Sequence, residues 1–238
     1  VISILCMLVH WIKKRNSFHL IKTKLDFKII GQETVLGLPS LIIQLSSGIV
    51  IIIFNILILD LQGNTGVAAY GVIANISLVT TSVYTGISQG TQPLISSFFG
   101  EKNAQSVKSV LKYSCLSALL ISVFIYLIIY IWADPITGIF NSEQNSMLQS
   151  ISVRGLKLYF LSLLPSGINI ILASYFSSVE RSLPSNIITI LKGFALILPL
   201  VYILSFLFGM TGIWLACPIA EFITDFIGCF IYRKTCSV

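Results

Sequence analysis

The sequence predicts an all-α membrane protein, a six-transmembrane-helix bundle. Three observations carry that reading: composition, the spacing of charge-free stretches, and the placement of Lys and Arg. Of 238 residues, 55% are hydrophobic and 10% charged, with a mean hydropathy of +0.93. A water-soluble domain carries roughly 25% charged residues, and a disordered chain would lack the Ile, Leu, Val and Phe that force collapse. A chain this apolar belongs in the lipid bilayer.

A spanning helix needs about 20 apolar residues to cross the hydrocarbon layer. No charge occurs from Thr34 to Leu59, Leu61 to Gly100, Tyr113 to Ala133, Leu158 to Val179 or Gly193 to Ala220. The polar turn Gln62-Gly63-Asn64-Thr65-Gly66 limits the second helix to about Val67 to Phe99, and Phe208-Gly209-Met210-Thr211-Gly212 divides the last stretch between two helices. The expected spans are therefore 34–59, 67–99, 106–132, 148–178, 184–208 and 213–232, together a transmembrane lobe over 34–232. Ahead of it, residues 1–12 read as the end of a truncated transmembrane helix, and 13–33 as a basic cytoplasmic linker. Residues 233–238 form a short cytoplasmic tail. Val1 opens inside an apolar run without an initiating Met, as expected of a chain whose N-terminal part lies elsewhere.

Lys and Arg are retained on the cytoplasmic side. Lys13, Lys14, Arg15, Lys22, Lys24, Lys28, Lys102, Lys108, Lys112, Arg181, Arg233 and Lys234 all fall in alternate connections or at helix ends next to them. The intervening turns at 60–66, 134–146 and 209–212 have none. The net charge of +6 is then a topology signal and gives no support for nucleic-acid binding. Trp11, Trp132 and Trp214 fall at expected span ends, where indole favours the membrane interface.

No phosphate-binding glycine loop, nucleophile triad or metal-ligand spacing appears, so the chain is not expected to be an enzyme or to hold a cofactor. The five cysteines show no CxxC spacing, and His10 and His19 are expected to be solvated interfacial side chains, with proton relay as the lesser alternative. The informative residues are polar groups at membrane depth, which are costly there and usually face a bundle interior or a water-filled cavity. Glu221 and Asp225 share one face of the last span, Glu221 near its middle. A carboxyl at that depth is suited to take up and release a proton, to ligate Na⁺, or to neutralise a buried cation. Lys192, inside the fifth span, is the candidate cation. Counting residues from helix centres puts it level with Asp225, with snorkelling to the interface as the alternative. In the second span, Gly86, Gln89, Gly90, Gln92 and Pro93 suggest a kink or hinge, and Gly86 and Gly90 equally suit a close helix contact. Gln44, Asn55, Asn75 and Asn169 add neutral polar groups, suited to interhelical hydrogen bonds or to a substrate cavity.

Four blocks resemble a known family. They are Gly37-Leu38-Pro39-Ser40; Val67-Ala68-Ala69-Tyr70-Gly71 with Gly86-Ile87-Ser88-Gln89-Gly90-Thr91-Gln92-Pro93-Leu94-Ile95 and Gly100-Glu101-Lys102-Asn103; Gly155-Leu156-Lys157-Leu158-Tyr159-Phe160; and Gly212-Ile213-Trp214-Leu215-Ala216-Cys217-Pro218-Ile219-Ala220-Glu221. Together they resemble the multidrug and toxic compound extrusion (MATE) transporters of the bacterial multidrug branch, helices seven to twelve, from about Gly37 to Tyr232. The resemblance implies one lobe of a twelve-helix transporter in the cell membrane, either continuous with a missing N-terminal lobe or dimerised with a partner. It further implies export of small-molecule drugs or organic cations in exchange for H⁺ or Na⁺ by rocking of the lobes. Some members of the family carry acidic residues near the positions of Gln44 and of Gly167 to Asn169. The neutral groups here shift the expected coupling role toward Glu221 and Asp225, or to an acidic residue in the missing N-terminal lobe. Two other classes are a related lipid-linked saccharide flippase, which would need more cavity Lys and Arg, and a non-transporting accessory subunit, which would be a dry bundle.

Overall fold

The structure, a computed structural model, describes the backbone of residues 27–236 and the side chains of residue 45 and residues 48–235. The expected truncated helix, most of the linker, His10, Trp11, His19 and the Gln44 side chain lie outside the described residues. Contacts divide the chain into two units, Val1–Leu38 and Pro39–Val238, and every described side chain belongs to the second.

Helix α1 runs over Phe27–Gly100 and is broken at Gly63, whose φ of 62° and ψ of −158° reverse the chain between two limbs. Gly63 has no Cβ and takes up the left-handed φ that other residues resist. The stretch Gly48–Gly100 alone has 53 residues, far more than one crossing uses, so the two limbs correspond to the first two expected spans. The remaining elements are α2 (Ala104–Ile131), the short α3 (Ala133–Phe140), α4 (Ser146–Tyr159), a 3₁₀ turn at Phe160–Ser162, α5 (Leu163–Ser178), α6 (Ser182–Ile190), a π turn at Leu191–Ala195, α7 (Ile197–Phe208) and α8 (Met210–Cys236). Strands are absent among the described residues. Ser146–Ser178, Ser182–Phe208 and Met210–Thr235 are each long and apolar enough to cross a membrane. The segment expected to be a tail is instead largely helical, with Arg233 and Lys234 in the last turn of α8.

Prolines account for much of the irregularity. Pro165 has no N–H for the carbonyl of Leu161, and the 3₁₀ turn falls there; Pro199 likewise leaves Ala195 without its α-helical partner, at the end of the π turn. Pro93 does not break its helix. Gly63 alone in α1 departs from helical φ and ψ, so the backbone stays helical through Pro93. A single lost hydrogen bond is absorbed there without a break.

Helix α5 packs against α2, α6 and α8, and α8 in turn against α4 and α7. The second limb of α1 joins this core through Tyr70, stacked on Trp214, and through Tyr84, whose hydroxyl shares a 2.8 Å hydrogen bond with Ser122 of α2. Trp214 is 1% exposed, so its indole faces the core rather than the headgroups it was expected to meet. The indole lies against Gly155 of α4, where an added Cβ would sit 2.9 Å from its ring. Trp132, at the end of α2, is exposed.

The α7–α8 hairpin turns at Gly209, with a φ of 56°. At Gly212 an added Cβ would come 1.8 Å from the backbone oxygen of Leu204, which no side-chain rotation relieves. Gly212→Ala is therefore expected to lower stability by about 1–3 kcal/mol through forced backbone displacement. Thermal unfolding of the detergent-solubilised protein measures it, and an unchanged midpoint would refute the tight turn.

Candidate functional site: a buried ion pair between α5, α8 and the π turn

Two polar stripes meet inside the bundle. On one side Ser162, Ser166 and Asn169 recur at helical spacing over the 3₁₀ turn and α5, and all three are buried. On the other, α8 presents Cys217, Glu221 and Thr224, also buried. Thr224 is satisfied within its own helix by donating to the Ala220 carbonyl at 2.8 Å. Glu221 has no such internal solution and bonds outward.

Lys192, in the π turn, sets its Nζ 2.9 Å from Glu221 Oε1. The same ammonium donates to Ser166 Oγ at 2.7 Å. Asn169 Nδ2 donates to Glu221 Oε2 at 2.7 Å and to the Glu221 carbonyl at 2.9 Å. Both carboxylate oxygens are thus engaged, one by a cation and one by an amide. The Glu221 side chain is 7% exposed and that of Lys192 23%. The amide oxygen of Asn169 is buried without a hydrogen-bond partner among the described residues.

Lys192 therefore pairs with Glu221 and not with Asp225, one turn further along α8. The count that levelled Lys192 with Asp225 assumed an unbroken α-helix, whereas the π turn changes the rise and re-aims the residues it contains. Nor does Lys192 snorkel, since its ammonium is held by Glu221 and Ser166. Asp225 is partly exposed, and its described contact is with Cys229 Sγ at 3.8 Å.

The other expected site residues lie apart from this cluster. Asn75 is exposed and donates to the Gly71 carbonyl of its own helix; Gln89, Gln92 and Pro93 are exposed on the second limb of α1. Gly86 and Gly90 have open space where a Cβ would stand, so they make no close helix contact among the described residues. Asn55 donates to the Ile51 carbonyl.

Ser166 and Lys157 escape the sequence reading. The first was legible as a member of the Ser162, Ser166, Asn169 stripe. Lys157, in α4, lies 5.0 Å from the centre of the Tyr130 ring, a cation–π contact whose aromatic partner is 27 positions away.

Multiple apolar spans enclosing a largely buried charge pair are the anatomy of a multi-pass membrane protein. The family model MatE matches residues 39–203, and the chain belongs to that family, the MATE transporters. Among its relatives, the multidrug export protein MepA of Staphylococcus aureus (strain MSSA476) is 25% identical over 223 residues, 93% of this chain and 48% of the relative. MepA of Staphylococcus haemolyticus (strain JCSC1435) is 25% identical over 196 residues, 82% of this chain and 42% of the relative. The chain thus spans about half the length of the curated relatives it matches. An outward-facing multidrug resistance MATE family transporter of the MOP superfamily superposes with a TM-score of 0.84 at 18% identity, over 98% of this chain and 53% of that one. A MOP superfamily transporter from Pyrococcus furiosus, described as having a binding pocket of reverse polarity, gives 0.83 at 19%, again over 98% and 53%. These structures share the fold.

Replacing Asn169 by Leu strips Glu221 of two hydrogen bonds and is expected to cost about 1–3 kcal/mol. Asp225→Asn is expected to change stability by less than about 0.5 kcal/mol, because Lys192 does not depend on it. Unfolding midpoints of the two variants in detergent provide the comparison, and a reversed order would contradict the pairing.

Proposed function

We propose that the complete transporter is a secondary active antiporter of the cell membrane, exporting organic cations or amphipathic drugs in exchange for H⁺ or Na⁺ by alternating access. This chain supplies the C-terminal half. An N-terminal lobe, in the same polypeptide or in a dimer partner, completes it. The relatives named as multidrug export proteins support the substrate class, and the chemistry is transport, with no catalysed bond change.

The observation that carries the proposal is the Lys192–Glu221 pair. On this reading the buried Glu221 carboxylate is an exchange site, where an organic cation or Na⁺ replaces the ammonium supplied by the neighbouring helix. Here Lys192 sits in a π turn with no fully buried residue, its side chain is 23% exposed, and Gly193 beside it faces open space. Proline-interrupted helices around a midplane site are how transporters bring polar groups to membrane depth.

Glu221→Gln keeps size and one acceptor oxygen but removes the charge. In the reconstituted two-lobe protein, substrate uptake into inverted vesicles under an imposed pH or Na⁺ gradient is expected to fall at least about tenfold, the lower end for losing a charged contact to a bound cation. Gradient-driven uptake at the parental rate would remove Glu221 from the mechanism.

A further inference from the structure

The hydrogen-bond pattern around Glu221 bears on which group carries the exchanged proton. A protonated carboxyl would present one O–H donor, yet Glu221 Oε1 faces an ammonium at 2.9 Å and Oε2 accepts from the Asn169 amide at 2.7 Å. Both oxygens act as acceptors, the pattern of an ionised carboxylate. With Glu221 already charged, an arriving cation finds no proton on it to displace. What it displaces is the ammonium of Lys192.

Several other titratable groups border the pair. From α1, the Tyr84 hydroxyl is engaged by Ser122 of α2. On α8, Cys217 is a buried thiol one turn before Glu221, hydrogen-bonded with Tyr159 of α4, and Asp225 lies one turn after it, with its described contact to Cys229. Facing Lys192 from α5 are Ser166 and, through Glu221, Asn169. From α2, Cys115 stands on the Asp225 side of the site.

We propose that Lys192 is the proton carrier of this lobe, resting on the reading of the chain as half of a cation-for-proton exporter. In the resting state the Lys192 ammonium occupies Glu221. A substrate cation takes its place on the carboxylate, the lysine Nζ–H bond breaks with its electron pair staying on nitrogen, and the proton leaves to water. Neutral Lys192 then accompanies a cation–carboxylate pair. When the cation departs, Lys192 takes up a proton and returns to Glu221. The site carries no net charge in either state. Holding a charged Lys192 about 4 Å from the bound cation would instead weaken binding by roughly a thousandfold, at the effective dielectric constant of about 20 found for protein sites. Lysine suits the task because its ammonium gives up a proton in an apolar surrounding, which arginine does not. The π turn supplies the slack, since such turns insert a residue within a helix and are frequent where a helix must rearrange.

The test uses the complete two-lobe protein and tetraphenylphosphonium as the probe cation. Binding to the parental protein in weak buffer is expected to release about one proton per cation, and affinity to rise about tenfold per pH unit as pH increases. Lys192→Arg preserves a cation beside Glu221 but has no proton to shed, so release is expected to vanish and affinity to become flat with pH. Proton release by Lys192→Arg at the parental level overturns the proposal, while gradient-driven uptake by the same preparation leaves the antiport reading standing. Absence of gradient-driven uptake by the parental protein sinks the antiport reading itself. Should Lys192→Arg fail to fold or bind, the infrared difference spectrum of cation binding to the parental protein decides: no protonated-carboxyl signal lost upholds Lys192, and loss of such a signal that is missing from Glu221→Gln overturns it.

Discussion

Hydrocarbon offers no water to a charge, and the arrangement of this bundle follows from that constraint. Glu221 and Lys192 are each costly alone at membrane depth, and they are held 2.9 Å apart on different helices. Their remaining polar capacity is met by Asn169 and Ser166, both from α5. One ion pair thereby ties together α5, the π turn between α6 and α7, and α8. In a medium where apolar burial between helices contributes little, such bonds and close packing of small residues carry the association. The packing share is visible at Gly155 against Trp214 and at Gly167, where an added Cβ would come within 3.0 Å of the Tyr84 ring.

The same constraint explains where the backbone departs from regular helix. Breaks occur at Gly63 and Gly209, which turn the chain between spans, and at the 3₁₀ and π turns beside the charged cluster. Irregular backbone in a membrane is tolerated where protein or water satisfies the freed groups. The π turn itself carries Lys192, the cation beside Glu221, while the 3₁₀ turn leads into α5, which supplies Asn169.

The helical spans were legible because charge-free runs and Gly-rich turns are strong one-dimensional signals. Gly63 and Gly209 lie inside the two turns expected from composition alone. The participants of the site were legible for the same reason: Glu221, Asn169 and Lys192 are conspicuous in apolar sequence. Their pairing was not. It depends on a π turn that no residue pattern announces and on the rotation of α8 relative to α5, so residue counting put Lys192 beside Asp225, one turn from its partner. Trp214 shows the converse limit. Its place at a helix start suggested an interfacial anchor, but the small residue opposite it, Gly155, opens a slot in the core, and a contact between positions 155 and 214 is invisible to any local pattern.

The account depends on Lys192 and Glu221 interacting directly, and a double-mutant cycle in the complete protein measures that with least interpretation. Unfolding in lipid bicelles of Lys192→Met, Glu221→Gln and the double variant gives the coupling energy of the pair. Each single change leaves its partner uncompensated, at a cost of roughly 3–5 kcal/mol for a buried charge, while the double change replaces the pair with neutral groups. A coupling of at least about 2 kcal/mol, with the double variant more stable than either single one, is the predicted result. Additivity within about 0.5 kcal/mol would contradict the account.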